Sequence, residues 1–144
     1  MLKLIPPILG PDLLGIMRAM GHGDEIAIVD ANYPADAAGP ALVRLDGISA
    51  TDVLDAVLTL LPLDDFVDNA VFVMQTVGDA SKREPVVEAF DTIVQRHEPK
   101  MRVAALERFA FYDRVKQGYA IVQTGERRLY GNILLKKGII RPDG

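Results

Sequence analysis

The residues best suited to chemistry are few and far apart. His22 stands between Gly21 and Gly23, so a tight turn leaves little bulk to block its ring, and an imidazole titrating near ~6.5 can give and take protons at neutral pH. That pattern points to a general acid/base. Asp30 closes the apolar run Glu25 to Val29, where a strand's carboxyl end would carry a carboxylate towards a ligand; bonding to the Asn32 or Tyr33 amide is the structural alternative. Arg108, within Glu107-Arg108-Phe109-Ala110-Phe111-Tyr112, offers a planar fork of donors for hydroxyls or carboxylates unless Glu107 or another acid holds it. Tyr130-Gly131-Asn132 brings a phenol, an accessible backbone and an amide together before a strand, a set able to converge on a polyhydroxylated ligand, though a tight turn explains the Gly-Asn pair equally.

Other chemistries find no support. The chain has 144 residues and no cysteine, which removes thiolate metal sites, disulfides and cysteine nucleophiles. His97, in the charged Arg96-His97-Glu98 stretch, reads as exposed, so a metal would rest on His22 with carboxylates, and neither metal nor cofactor is expected. The glycines around His22 precede a strand instead of following one, and Ile26 stands where a third glycine belongs, so they are not a dinucleotide loop. There is no phosphate loop, no nucleophile elbow and no His-Glu-x-x-His pair. The net charge of −4 hides a split: residues 1–99 carry 6 basic against 16 acidic residues, and residues 100–144 carry 10 against 4. Packing of the two segments within one fold or between subunits accounts for this better than a nucleic-acid face. No apolar run approaches a membrane span, and the first residues do not read as a signal peptide, so a cytoplasmic protein is expected.

The elements that must hold these residues follow from periodicity. Pro11 to Met20 repeats apolar residues at helical spacing and should stop at a left-handed Gly21. Glu25 to Asp30 is a strand, Ala31 to Pro40 a loop, and Ala41 to Leu45 a second strand. Ser49 or Thr51 caps a helix whose stripe runs from Val53 to Leu61 and closes at Pro62. Val71 to Val77 is a strand and Pro85 to Arg96 a helix with one apolar side. Met101 to Leu106 is a strand, Arg108 to Gln117 a helix with either Phe109 and Tyr112 or Phe111 and Val115 inward, and Tyr119 to Thr124 and Asn132 to Ile140 are final strands. The alternation predicts one α/β domain with a partly parallel, mixed sheet.

Five separated motifs in order carry a resemblance: Met20-Gly21-His22-Gly23-Asp24-Glu25, Asp30-Ala31-Asn32-Tyr33-Pro34-Ala35, Arg44-Leu45-Asp46-Gly47, Glu107-Arg108-Phe109-Ala110-Phe111-Tyr112, and Thr124-Gly125-Glu126-Arg127 leading to Tyr130-Gly131-Asn132-Ile133-Leu134-Leu135-Lys136-Lys137-Gly138. Over Met1 to about Ile140 the chain resembles the ribose pyranase and fucose mutarotase family, and the Glu-Arg-Phe-Ala-Phe-Tyr segment is similar to its fucose branch. The resemblance implies a three-layer α/β/α fold, ring-shaped homo-oligomers that are often decamers, and metal-free exchange of sugar anomers or ring forms. It gives His22 the part of catalytic acid and Asp30, Arg108, Tyr130, Gly131 and Asn132 the part of sugar binding. The expected partner is a monosaccharide, L-fucose or a similar sugar, with a non-catalytic sugar binder and a ring-form isomerase as the alternatives. The fucose enzymes often carry histidines after the aspartate, where this chain has Asn32 and Asp36. The Ile133 to Ile140 run and the charge split are expected to help close a ring of subunits.

Overall fold

A computed structural model describes residues 1–143. In chain order its elements are α1 (Pro11–Ala19), β1 (Glu25–Val29), α2 (Ala35–Ala38), β2 (Ala41–Leu45), α3 (Ala50–Leu58), β3 (Val71–Met74), α4 (Pro85–His97), β4 (Ala104–Leu106), α5 (Arg108–Lys116), β5 (Ala120–Thr124) and β6 (Ile133–Lys136). The strands form one six-stranded sheet in the order β2-β5-β1-β6-β3-β4. β2, β5 and β1 run parallel, as do β3 and β4, and β6 lies antiparallel between β1 and β3. All five parallel strands therefore point their carboxyl ends to one edge of the sheet, and β6 starts there.

Side-chain alternation divides the core into two layers. Ile26 and Ile28 of β1, Val71 and Val73 of β3, and Ile133 and Leu135 of β6 face α1, α3 and α4, where Leu13, Leu54 and Phe90 are wholly buried. Ala27, Val29, Phe72, Met74 and Leu134 face the opposite way, onto Tyr33, Ala35 and the α5 residues Phe111 and Val115. The α/β/α layering expected from the resemblance is what the chain adopts.

The boundaries differ in instructive ways. α1 ends at Ala19 with an extended Met20, and the left-handed residue of the following turn is Gly23 (φ +89°), not Gly21. One helical turn, α2, interrupts the segment read as a loop. Ser49 is the cap of α3, its Oγ accepting from the Asp52 amide, and α3 stops at Leu58. α5 turns Phe111 and Val115 inward and leaves Phe109 exposed. Glu107 is not the ion-pair partner of Arg108: its carboxylate accepts from the Phe109 and Ala110 amides and caps the helix. β6 ends at Lys136 instead of running to Ile140, because Gly138 approaches the Leu63 backbone so closely that a Cβ would lie 2.4 Å from its carbonyl oxygen. The expected exposed tail is thus mostly core: Ile133, Leu134 and Leu135 are fully buried, Lys136 and Lys137 are partly exposed, and of its apolar residues Ile139 and Ile140 reach the surface.

Candidate active site

Asp30 follows β1 at the carboxyl edge, and its own amide donates to Asn132 Oδ1 at 2.8 Å. Its carboxylate accepts from the Asn32 amide at 3.0 Å, so the loop-capping contact and exposure to a ligand coexist. Burial raises the Asp30 carboxyl above its ordinary value, against the lowering effect of hydrogen bonds from Asn32, Asn132 and Tyr33. A carboxylate held this way is a better proton acceptor than one in water.

Tyr130 adopts a left-handed backbone (φ +65°), unusual for a bulky residue, and its hydroxyl accepts from the Val77 amide at 3.0 Å. Gly131 is required for packing, since a Cβ there would stand 2.6 Å from Glu126 Cγ and 3.5 Å from Asp30 Cβ. Beneath this loop Glu126 accepts from the Arg128 backbone and guanidinium and from the Ala50 amide, tying the β5–β6 connection to the start of α3. Arg108, with Glu107 committed to the helix cap, has no carboxylate partner among the described residues. Its guanidinium lies 4.6 Å over the Phe109 ring, and its buried Nε has no hydrogen-bond partner among the described residues.

These side chains line one cavity of about 200 Å³ outside the strand carboxyl ends, bounded by Asp30, Asn32, Tyr33, Arg108, Tyr112, Tyr130 and Asn132 with Met74, Val77 and Leu129. It is smaller than the ~300–1,000 Å³ of sites for drug-sized ligands and pairs an apolar floor with convergent donors and acceptors.

His22 is elsewhere. It precedes β1, at the opposite edge of the sheet from Asp30, where the Gly23 amide donates to the Lys137 carbonyl. The five residues of β1 at ~3.3 Å each, with the flanking turn, set the two residues roughly 20 Å apart in one chain. The ring is half exposed, tilted against Phe66 at 5.1 Å between centroids, and its Nε2 lies 2.9 Å from Oδ1 of the buried Asp64. Burial alone would raise the Asp64 carboxyl, but hydrogen bonds from His22 and the Phe66 amide, with the charges of His22 and Lys136, hold it below the usual range. An ionised Asp64 only accepts, so Nε2 carries a hydrogen and Nδ1 is left to exchange a proton. Lys137 fixes the turn by donating to the Met17 and Met20 carbonyls at 2.7 and 2.5 Å.

Asp64, Phe66, Tyr33, Asn32 and Tyr112 escape sequence reasoning as site residues. The His22–Asp64 contact spans 42 positions and has no local signature. His97, read as exposed, is instead partly buried, with Nε2 2.6 Å from Asp55 Oδ1, and bridges α4 to α3.

A family model described as the RbsD / FucU transport protein family matches residues 3–140. The chain belongs to this RbsD / FucU family. It is 43% identical to fucose mutarotase of Mus musculus over 96% of this chain and 95% of that protein. Among solved structures, FucU from Bifidobacterium longum superposes with a TM-score of 0.92 at 36% identity, over 96% of this chain and all of that one. The fucose mutarotase of Streptococcus pneumoniae, solved in complex with L-fucose, gives 0.88 at 40% identity, over 97% of this chain and all of that one. The mixed sheet flanked by helices is therefore the RbsD / FucU fold, and the cavity at its carboxyl edge lies in a family that includes a protein solved with a monosaccharide.

Proposed function

We propose that this chain is a cytoplasmic sugar mutarotase that exchanges the α and β anomers of L-fucose or a closely similar monosaccharide. The observation that carries the reading is near full-length similarity to fucose mutarotases combined with a small cavity rich in hydrogen-bonding groups. Non-catalytic sugar binding and ring-form isomerisation are not favoured by the relatives named.

Mutarotation needs a proton delivered to the ring oxygen and one removed from the anomeric hydroxyl. The bond from the anomeric carbon to the ring oxygen then breaks, the aldehyde turns, and the ring closes on its other face. Asp30 accepts from a sugar hydroxyl, Arg108 holds oxygens away from the reacting carbon through the guanidinium whose Nε lacks a protein partner, and Asn132 and the Tyr130–Gly131 backbone set the ring's pose. His22, oriented by Asp64, is the proton carrier.

The separation of His22 from Asp30 within one chain leads to the second part of the reading: the site is completed between copies, His22 of one facing the cavity of another. Exposed Leu2, Leu60 and Ile140 support self-association, because they line an apolar hollow of about 410 Å³ beside Met17 and Lys137, which flank the His22 turn, and Leu2 also lines a neighbouring one of about 340 Å³. A closed ring of subunits, a decamer in this reading, satisfies both.

Polarimetry on freshly dissolved α-L-fucose tests the activity. The protein should speed relaxation well above the buffer rate; relaxation at the buffer rate would sink the proposal.

A further inference from the structure

Tyr33 sits three residues beyond Asp30, in the bend that leads into α2. Its backbone is held on both sides: its amide donates to the Asp30 carbonyl at 3.3 Å, and its carbonyl accepts from Gln123 Nε2 at 2.9 Å. Its ring packs edge-on against Phe111 at 6.3 Å and tilted against Tyr112 at 5.3 Å between centroids, leaving the residue 6% exposed. A phenylalanine would make every one of these ring contacts.

The hydroxyl is what those contacts do not explain. It makes no hydrogen bond among the described residues, and the residue lines the cavity that holds Asp30 and Arg108. Burial raises the phenol above its ordinary value, with further push from the neighbouring Tyr112 and Asp30, so it stays protonated and able to donate at any working pH. A buried polar group normally finds a partner. The Tyr33 oxygen keeps some solvent access, so water or a ligand in the cavity can supply that partner.

We propose that the Tyr33 hydroxyl is a specificity-determining contact that hydrogen-bonds one ring hydroxyl of the bound monosaccharide. Three features separate this role from a structural one: the ring is packed against Phe111 and Tyr112, the hydroxyl has no protein partner among the described residues, and the residue lines the same hollow as Asp30 and Asn132, near enough for the Asp30 charge to act on the phenol. A fixed donor discriminates between sugars differing at one carbon, because the wrong sugar leaves the phenol unpaired. The inference deepens the mutarotase reading and rests on it.

The test compares the wild-type protein with Tyr33→Phe, which removes one oxygen and keeps the ring. Kinetics of anomer exchange by NMR on L-fucose and its 2-, 3- and 4-deoxy analogues give KM and kcat, with thermal melting as a control on folding and light scattering on assembly. KM for L-fucose should rise about 3- to 10-fold in the variant while kcat stays within about twofold. For one deoxy analogue the two proteins should show the same KM, because the bond is already absent. An unchanged KM, a rise shared equally by L-fucose and every analogue, or a weakened assembly with KM intact would overturn the proposal, the last assigning the hydroxyl to a neighbouring copy. Failure of the wild-type protein to catalyse exchange is a different result, which removes the mutarotase reading itself.

Discussion

At the scale of single residues, the proposed chemistry depends on His22 being both oriented and accessible. Its Nε2 is engaged by the ionised Asp64 and its ring is half exposed, so the imidazole is preset without being buried. His22→Ala should cut catalysed anomer exchange by ~10²- to 10⁴-fold, the usual worth of a positioned acid or base, with no loss of thermal stability beyond the Asp64 contact. NMR saturation transfer between the anomeric protons reads this, and undiminished transfer would reject the assignment. Asp64→Asn keeps the shape but offers an amide to Nε2, which disturbs the tautomer; kcat should fall more than KM rises. The carriers of this arrangement were unequally legible. His22 between glycines and Asp30 at a strand end are visible in the chain's own pattern. Asp64 is not, because it meets His22 only after the sheet has brought together positions 42 apart. Tyr33 is hidden in another way, since an Asn-Tyr-Pro run reads as a turn and gives no hint that the ring folds inward.

At the scale of elements, the β5–β6 connection is the part of the site most exposed to perturbation. The Arg128 side chain pulls the Glu126 carboxyl down to about 2, overcoming the opposing effect of burial, with help from the Arg128 and Ala50 amides. A lowered carboxyl stabilises the fold fully above its unfolded value of 4.5, and that contribution is lost as pH falls from there towards about 2. Because Arg128 is nearly half exposed, we expect roughly 1–2 kcal/mol from the pair. Urea denaturation should show midpoints that decline through this window, and Glu126→Gln should flatten the decline; an unchanged slope would mean that the carboxylate does not tie the loop to α3. Gly125 makes a sharper prediction, because a Cβ there would stand 2.1 Å from the Asp46 carbonyl oxygen. Gly125→Ala should destabilise by about 1–3 kcal/mol in the same measurement. Element identities were largely readable from apolar spacing and from Pro and Gly punctuation. Their ends were not, as at β6, whose termination is dictated by the Leu63 backbone pressing on Gly138.

At the scale of the whole molecule, the informative fact is the direction of β1. It carries His22 to one edge of the sheet and Asp30 to the other, while β6, inserted antiparallel from the C-terminal region, closes the gap between β1 and β3. Sequence periodicity finds the strands but cannot order them, since every pairing of β6 is non-local; for the same reason it could not reveal that the two halves of the proposed site point apart. Light scattering should find a multimer at micromolar concentration, and a monomer would leave the cavity without its imidazole. The most direct test co-expresses His22→Ala with Asp30→Asn, each expected to be inactive alone. If catalysis joins His22 of one copy to the cavity of another, mixed assemblies regain about a quarter of the wild-type sites by random association. Anomer exchange no faster than that of either parent, in assemblies shown to contain both chains, would contradict the account.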